Sequence, residues 1–269
     1  MRAMKRFFVL LFLGAVGALG IWYGFRGNST KASSSTVTAL LPKETLAFLH
    51  VPDFNRSYGH WQQTSIHKLW REPAMQDFLQ KPLTRLPAAG AVRGKLQDFQ
   101  ALEMKDGFLA ITAWENNQPK MLGGFRFKGS AAEAEKVVGN WRARLQQGAP
   151  EVRRETVQHA GDQIEVVTRD AITIATVYSG DWFLAANDVP ALQLLLDRAN
   201  GRNKDAATTL AKDETYLAAF KHMPAVYAAF GYARLEQYFQ KLAKSMPPEQ
   251  RGSEHLALLR QVKLSLIHI

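Results

Sequence analysis

The chain begins with its longest apolar run, and this run predicts a membrane segment. Residues 7–25 carry no charged side chain, and they follow a basic tail at residues 1–6 that holds Arg2, Lys5 and Arg6. A membrane-spanning helix needs about 20 apolar residues, because the hydrocarbon core is about 30 Å thick and each helical residue rises about 1.5 Å. We therefore interpret residues 7–25 as a transmembrane anchor.

A secretory signal that is cleaved off is the alternative interpretation. The apolar region of such a signal usually covers about 7–15 residues and ends at a small-residue cleavage site, for which residues 18–20 qualify. Ile21, Trp22 and Phe25 extend the run beyond that site and favour an uncleaved anchor. The basic tail predicts a cytoplasmic N-terminus and an extracytoplasmic C-terminal part. We expect a single-pass protein of the cytoplasmic membrane, or a secreted protein if the signal is cleaved.

After the anchor, the pattern predicts a linker and then an α+β fold. Residues 26–40 are rich in Ser and Thr, a composition typical of a flexible linker. Over residues 41–205, short β-branched or alternating apolar runs predict strands, and apolar residues three and four apart predict helices. We expect a domain of mainly antiparallel sheet packed by helices.

Turn and capping residues place the predicted elements of this domain. Ser130 and Glu133 form a capping-box pattern at a helix start, and Asp188 with Pro190 starts a leucine-rich helix that Gly201 ends. Strands are predicted at residues 45–51, 108–114, 120–127, 151–159, 163–168, 171–178 and 182–186. Helices are predicted in two pieces over residues 53–86 and at residues 92–102, 130–147 and 189–200.

The C-terminal part predicts a second module and an unusual end. Residues 206–263 contain a capped helix at Asp213. A Met-Pro pair, a strand-like run at 225–232 and an aromatic-bearing helix follow it, and they repeat the order of the Leu-Pro pair, strand and helix that begin at residue 41. Such repetition favours a repeated module of about 170–180 residues, whose second copy is truncated here. Residues 264–269 (LSLIHI) match what a common sequencing-library transposon end encodes, which predicts a non-native tail and a longer native chain.

Composition narrows the class of partner. The formal charge is +10, of which the flanks of the apolar run supply +4, and the other basic residues are scattered. Scattered basic residues are typical of a solvated surface, and attraction to an anionic envelope polymer or to lipid headgroups is the alternative. No basic stripe is interleaved with aromatic residues, so we predict no nucleic-acid partner. The chain has no cysteine, which excludes disulfides, thiolate nucleophiles and cysteine metal sites.

The sequence contains no recognisable catalytic or metal-binding motif. It lacks HExxH and GxSxG patterns. His60 and His67 are seven residues apart, about 10 Å along a helix, which is too far for a shared ion. We therefore predict no catalytic, cofactor-binding or metal-binding residue and no cofactor.

Three further patterns have structural explanations. The carboxylate pairs Glu133/Glu135 and Asp213/Glu214 lie at predicted helix starts, where acidic side chains favour the helix dipole. Gly123-Gly124 lies within a predicted strand and indicates a bulge or a close backbone approach. The tryptophans lie at helical spacing or at element ends, which is typical of core residues, although an exposed binding surface is the alternative.

Three stretches resemble one bacterial family. LPKETLAFLHVPD at 41–53, KLWREPAMQDFL at 68–79 and GDWFLAANDVPALQLLLDR at 180–198 are similar to landmarks of the domain-of-unknown-function family 3352. The resemblance implies a bacterial, membrane-anchored extracytoplasmic α+β protein with no established catalytic residues. His50 occupies a strand position that is more usually small or polar in that family.

Two functions follow from these expectations. The preferred hypothesis is a non-enzymatic binding or scaffolding protein of the cell envelope, whose partner is the membrane together with an envelope protein or an anionic polymer. The alternative is an envelope-acting hydrolase whose active residues no local motif reveals.

Overall fold

The computed structural model confirms an α+β fold built on one antiparallel sheet. It describes residues 34–75, 100–115, 118–146, 152–169, 172–221, 227–235, 237 and 265–268. Within these residues the sheet has nine strands: β1 (Ala47–Asp53), β2 (Lys105–Glu115), β3 (Gln118–Arg126), β4 (Arg153–His159), β5 (Asp162–Arg169), β6 (Ile172–Ser179), β7 (Trp182–Ala186), β8 (Phe230–Ala233) and β9 (Ser265–His268).

The described helices precede β1 or lie between the strands in the chain. They are α1 (Ser34–Leu40), α2 (Phe54–Gln63), α3 (Ser65–Trp70), α4 (Ala131–Gln146), α5 (Val189–Ala199) and α6 (Glu214–Phe220), with 3-10 turns at Ala206–Thr208 and Leu210–Lys212. Most of these elements overlap the predicted ones.

The strand order is β4-β5-β6-β7-β3-β2-β1-β8-β9. Tight turns build the β4–β5–β6–β7 part, and two of them use left-handed backbone: Ala160 and Gly161 at φ 50° and 92°, and Gly180 at φ 59°. Glycine adopts such angles without the steric cost of a side chain. The predicted β2–β3 hairpin is confirmed, with Glu115 paired to Gln118.

Most of the hydrophobic core lies on one face of the sheet, which we call the inner face. Alternate strand positions such as Phe48, Ala110, Leu122 and Leu184 point to it, as the two-residue period of a strand requires. Side chains from α1, α5 and α6 cover them, including the fully buried Val37, Leu192 and Leu196 and the nearly buried Tyr216.

Helix α4 packs on the opposite, outer face. A smaller cluster there joins buried Phe127 and Ala134 to the partly buried Phe125, Tyr178 and Phe183. The predicted capping box starts this helix: the Glu133 carboxylate accepts from the Ser130 backbone N–H at 2.8 Å, and the Ser130 hydroxyl oxygen accepts from the Glu133 N–H at 3.3 Å. The hydrogen bonds that the Ser130 backbone N–H and hydroxyl donate to the Glu133 carboxylate lower the pKa of Glu133.

The predicted linker over residues 26–40 is wrong at its C-terminal end. Residues Ser34–Leu40 form helix α1, and Val37 is fully buried while Leu40 is 5% exposed. Val37, Leu40 and Leu41 lie three and four residues apart, so they form one apolar helix face that the neighbouring serines obscure in the sequence. Residues 26–33 lie outside the described residues.

Residues 206–221 and 227–233 share the sheet and the core of the described residues that precede them. Strand β8 pairs with β1, from Ala47↔Ala233 to His50↔Phe230, and Leu210, Tyr216 and Tyr232 are buried in the main core. The division predicted at residue 205 therefore corresponds to no break in the sheet. The predicted repetition of a module stays a prediction.

Several predicted segments lie outside the described residues. They include the tail at 1–6, the anchor at 7–25, and most of the helix predicted at 92–102 and of residues 236–263. No helix within the described residues combines the length and the apolar character that crossing a membrane requires. Within residues 264–269, Ser265–His268 form strand β9.

Candidate functional site

A polar cleft lies on the outer face, between helix α4 and strands β4–β6; we call it the outer cleft. Its volume is about 500 Å³. The lining residues are Glu135, Arg154, Glu155, Thr156, Gln163, Glu165, Thr176, Val177 and Tyr178. Most of these residues carry a hydrogen-bonding side chain, so the cleft suits a polar ligand.

Strand register explains why these side chains meet. Thr156 pairs with Glu165 and Glu165 with Thr176, which places the three in one row across β4, β5 and β6. Arg154 and Tyr178 lie two positions along from Thr156 and Thr176, and therefore point to the same face.

The charged groups of the outer cleft are already hydrogen-bonded. The Tyr178 hydroxyl donates to Glu135 Oε2 at 2.8 Å, which joins β6 to α4. Arg154 Nη1 donates to Glu165 Oε1 at 3.2 Å across the β4–β5 pair. These contacts hold the carboxylates in place, and each carboxylate has further lone pairs with which to accept from a ligand.

A second row of polar side chains crosses the inner face at the other end of the sheet. His50, which is fully buried, has Nδ1 3.2 Å from the Tyr227 hydroxyl and Nε2 3.4 Å from Asp106 Oδ1. The contact between Nδ1 and the Tyr227 hydroxyl is a hydrogen bond whose direction depends on the ring tautomer. At 3.4 Å the Asp106 contact is electrostatic rather than a hydrogen bond.

This row of polar side chains continues from Asp106 to the protein surface. Asp106 Oδ2 lies 3.7 Å from Arg126 Nη1, and Arg126 Nε donates to Asp181 Oδ2 at 2.7 Å. The hydrogen bond from Arg126 to Asp181 raises the pKa of Arg126. Because His50 at its inner end is fully buried, we assign this row of polar side chains a structural role.

A third cluster ties the β4–β5 turn to the end of α5. Asp197 Oδ1 accepts from Arg202 Nε at 2.7 Å and lies 3.0 Å from His159 Nε2, while Ser179 donates to Asp162 at 2.7 Å. Burial alone would raise the pKa of Asp197, but the hydrogen bonds from Arg202 and His159 outweigh it and lower that pKa. Ser179 bonds to Asp162 and His159 bonds to Asp197, so Ser179 and His159 do not form a nucleophile–base pair.

The structure separates most of the residues that the sequence singled out. His67 bonds to the Gln62 carbonyl oxygen at 3.2 Å and stacks edge-on with Trp61. Asp213 caps α6 through the Tyr216 N–H at 2.8 Å and pairs with Arg234. Among the described residues, no group of three or more His, Asp and Glu side chains is placed to hold a metal ion.

The outer cleft contains residues that the sequence analysis did not connect. In the sequence, the helix dipole alone explains Glu135, and Arg154 is only one of the scattered basic residues. Glu165 and Tyr178 had no motif around them. The available signal was a row of polar residues at alternate positions of three successive predicted strands.

No protein-family model, no curated protein and no solved structure matches the chain. The similarity to the domain-of-unknown-function family 3352 therefore stays a prediction.

Proposed function

We propose that this protein is a membrane-anchored, extracytoplasmic domain of the bacterial cell envelope that binds a partner without catalysing a reaction. The observation that carries the proposal is the outer cleft, where a helix and three strands hold paired donors and acceptors in a fixed array. Groups that are fixed before binding lose little freedom on contact with a ligand, which favours recognition.

The cleft chemistry indicates the class of ligand. Carboxylates such as Glu135 and Glu165 accept from hydroxyl, amide and ammonium groups, and the Thr and Tyr hydroxyls both donate and accept. Three glutamates against one arginine make this cleft unfavourable for an anionic polymer. A neutral envelope polymer rich in hydroxyl and amide groups, such as an uncharged glycan of N-acetylated sugars, is the partner that we propose.

Calorimetric titration of the full chain in detergent tests this binding. The probes are soluble, uncharged fragments of a glycan of N-acetylated sugars, and polyglutamate as the anionic polymer. Glu165→Gln should weaken glycan binding about tenfold or more, since a hydrogen bond to a charged group contributes about 1.5–3 kcal/mol. Glu103→Gln is the matched control, because Glu103 is ion-paired with Lys128 on the surface outside the cleft. Equal affinities of the two variants would refute the proposal.

A hydrolase is the second candidate, and one observation favours it. Glu135 and Glu165 line the same cleft from a helix and from the sheet. Two carboxylates on opposite sides of a sugar can serve as acid and base in glycoside hydrolysis. New reducing ends that appear in the wild-type titrations and disappear with Glu135→Gln would establish the enzyme instead of the binding protein.

The proposed location has its own test. An alkaline phosphatase fused to the C-terminus is active only outside the cytoplasm, and we expect activity in the membrane pellet. Activity in the soluble extracytoplasmic fraction would mean that residues 7–25 are a cleaved signal.

A further inference from the structure

Two isoleucines of strand β6 are exposed on the outer face, next to the outer cleft. Ile172 and Ile174 are 53% and 48% exposed, although β6 is an interior strand with β5 and β7 on its two sides. They alternate along β6 with Thr176 and Tyr178, which line the cleft, so all four side chains point to the same face. Exposed apolar side chains therefore continue the line of cleft residues along this strand.

Strand pairing places a valine beside these isoleucines. Val167 of β5 is partly buried, and it pairs with Ile174 on one side and with Arg154 of β4 on the other. We call Val167, Ile172 and Ile174 the apolar strip. Successive rows of side chains on one face lie two residues apart, so the strip begins about 7 Å from the row that holds Glu165. The strip and the polar cleft are therefore neighbouring parts of one surface.

A ligand that contacts both parts needs polar and apolar groups close together. The Glu165 carboxylate accepts hydrogen bonds from hydroxyl and amide groups, whereas no side chain of the strip can form a hydrogen bond. A sugar that carries only hydroxyl groups would leave the strip in contact with water. An acetamido group offers an N–H to a carboxylate and a methyl group to an apolar surface, and burial of that methyl group is favourable.

We propose that the apolar strip makes the outer cleft selective for sugars that carry an N-acetyl group. This inference rests on the proposed function, because the sugar ring and the acetamido N–H bind in the cleft itself. The acetyl methyl group packs against Ile174, with Val167 and Ile172 beside it. A hydroxyl, amine or carboxylate at the same position of the sugar would lose water without gaining a hydrogen bond, which is unfavourable. Ile174 is thus a specificity-determining residue.

Calorimetric titration with two matched oligosaccharides tests this selectivity. The probes are an oligomer of β-1,4-linked N-acetylglucosamine and the glucose oligomer of equal length, in which a hydroxyl replaces each acetamido group. The full chain, in a detergent without a sugar head group, should bind the N-acetylated oligomer about fourfold or more tightly, the effect of burying one methyl group. Ile174→Thr keeps the β-branched shape that suits a strand, and it should reduce this preference to below about twofold.

Two control variants accompany this substitution. Leu109→Thr changes a leucine of similar exposure, 50%, on the outer face of β2. Strand β2 lies three strand spacings, about 14 Å, from β6, so this variant should keep the full preference. Glu165→Gln should weaken the binding of both oligomers by the same factor and leave their ratio unchanged, because its carboxylate contacts groups that both sugars share.

The outcomes separate this inference from the proposed function. Equal binding of both oligomers by the full chain, or an unchanged preference in Ile174→Thr, would overturn the inference and leave glycan binding intact. Absence of binding to either oligomer would overturn both. A fall in Tm of more than about 4 °C for Ile174→Thr but not for Leu109→Thr would show that the chain itself covers the strip, and would overturn the inference. A full-chain dimer that Ile174→Thr dissociates would also overturn it, because the occupant would then be a second copy.

Discussion

Substituting Gly124 by alanine tests how closely the central strands approach one another. Gly124 lies in β3 opposite Phe108 of β2 and Leu184 of β7. A Cβ atom at this position would lie 2.6 Å from the Phe183 carbonyl oxygen, 2.7 Å from Leu184 Cδ2 and 3.3 Å from Phe108 Cε1. The first obstacle is backbone and the second belongs to a fully buried side chain.

The expected cost follows from those neighbours. Overpacking a well-filled interior costs about 1–3 kcal/mol, and a fixed carbonyl in the neighbouring strand places Gly124→Ala near the upper limit. For a folded unit of this size, each kcal/mol lowers Tm by about 2–4 °C, so Tm should fall by about 6–12 °C.

Gly123→Ala is the matched control, one residue earlier on the same strand. Its Cβ would lie 3.2 Å from the Phe108 carbonyl oxygen and 3.3 Å from Leu109 Cδ1, the end of an exposed side chain that can rotate away. Reduced freedom of the unfolded chain offsets part of the crowding, so we expect a loss below about 1 kcal/mol. Thermal unfolding followed by circular dichroism measures the Tm of both variants. A Tm for Gly124→Ala equal to that of Gly123→Ala would refute the argument.

Two further substitutions test buried and titrating polar groups. The buried Arg198 guanidinium donates to the Leu40 carbonyl oxygen and to the Thr208 hydroxyl, both at 3.0 Å. Arg198→Met should therefore lower the free energy of unfolding, measured with urea, by about 2–4 kcal/mol. The control Arg153→Met, at an exposed arginine, should lower it by less than about 1 kcal/mol. Because the folded protein holds the pKa of Asp197 below the ordinary value of about 4, this group stabilises the fold above about pH 4, and the contribution is lost as pH falls through the folded pKa. Asp197→Asn should therefore reduce the acid-induced loss of stability in unfolding curves measured from about pH 6 down to pH 2, and an unchanged acid limb would contradict this assignment.

Local signals in the sequence predicted most of the individual elements. The Ser130–Glu133 capping box, the turn glycines and the leucine-rich helix α5 depend on neighbours within a few residues, and the structure has each of them. The close backbone approach predicted at Gly123-Gly124 is confirmed at Gly124.

Contacts between distant residues account for what the sequence did not predict. Asp188 was expected to cap α5, yet its carboxylate accepts from Lys120 at 2.7 Å instead of from the helix. The outer cleft likewise joins Glu135 to Tyr178, 43 residues apart. A carboxylate at a helix start has the same local pattern whether it caps the helix, pairs with a lysine or lines a cleft, so only the strand order decides among these roles.

His50 shows why residues 206–221 and 227–233 belong to the same fold as strand β1. A fully buried histidine needs a partner, because leaving a buried polar group unpaired costs about 1–3 kcal/mol. Its Nδ1 partner is Tyr227, 177 residues later, and Phe48 beside it packs against Tyr216, Phe230 and Tyr232. A chain without this later segment would expose Phe48 and leave His50 Nδ1 without that hydroxyl. The unusual histidine of β1 is therefore explained by the later segment, which supplies both the hydroxyl partner of His50 and strand β8.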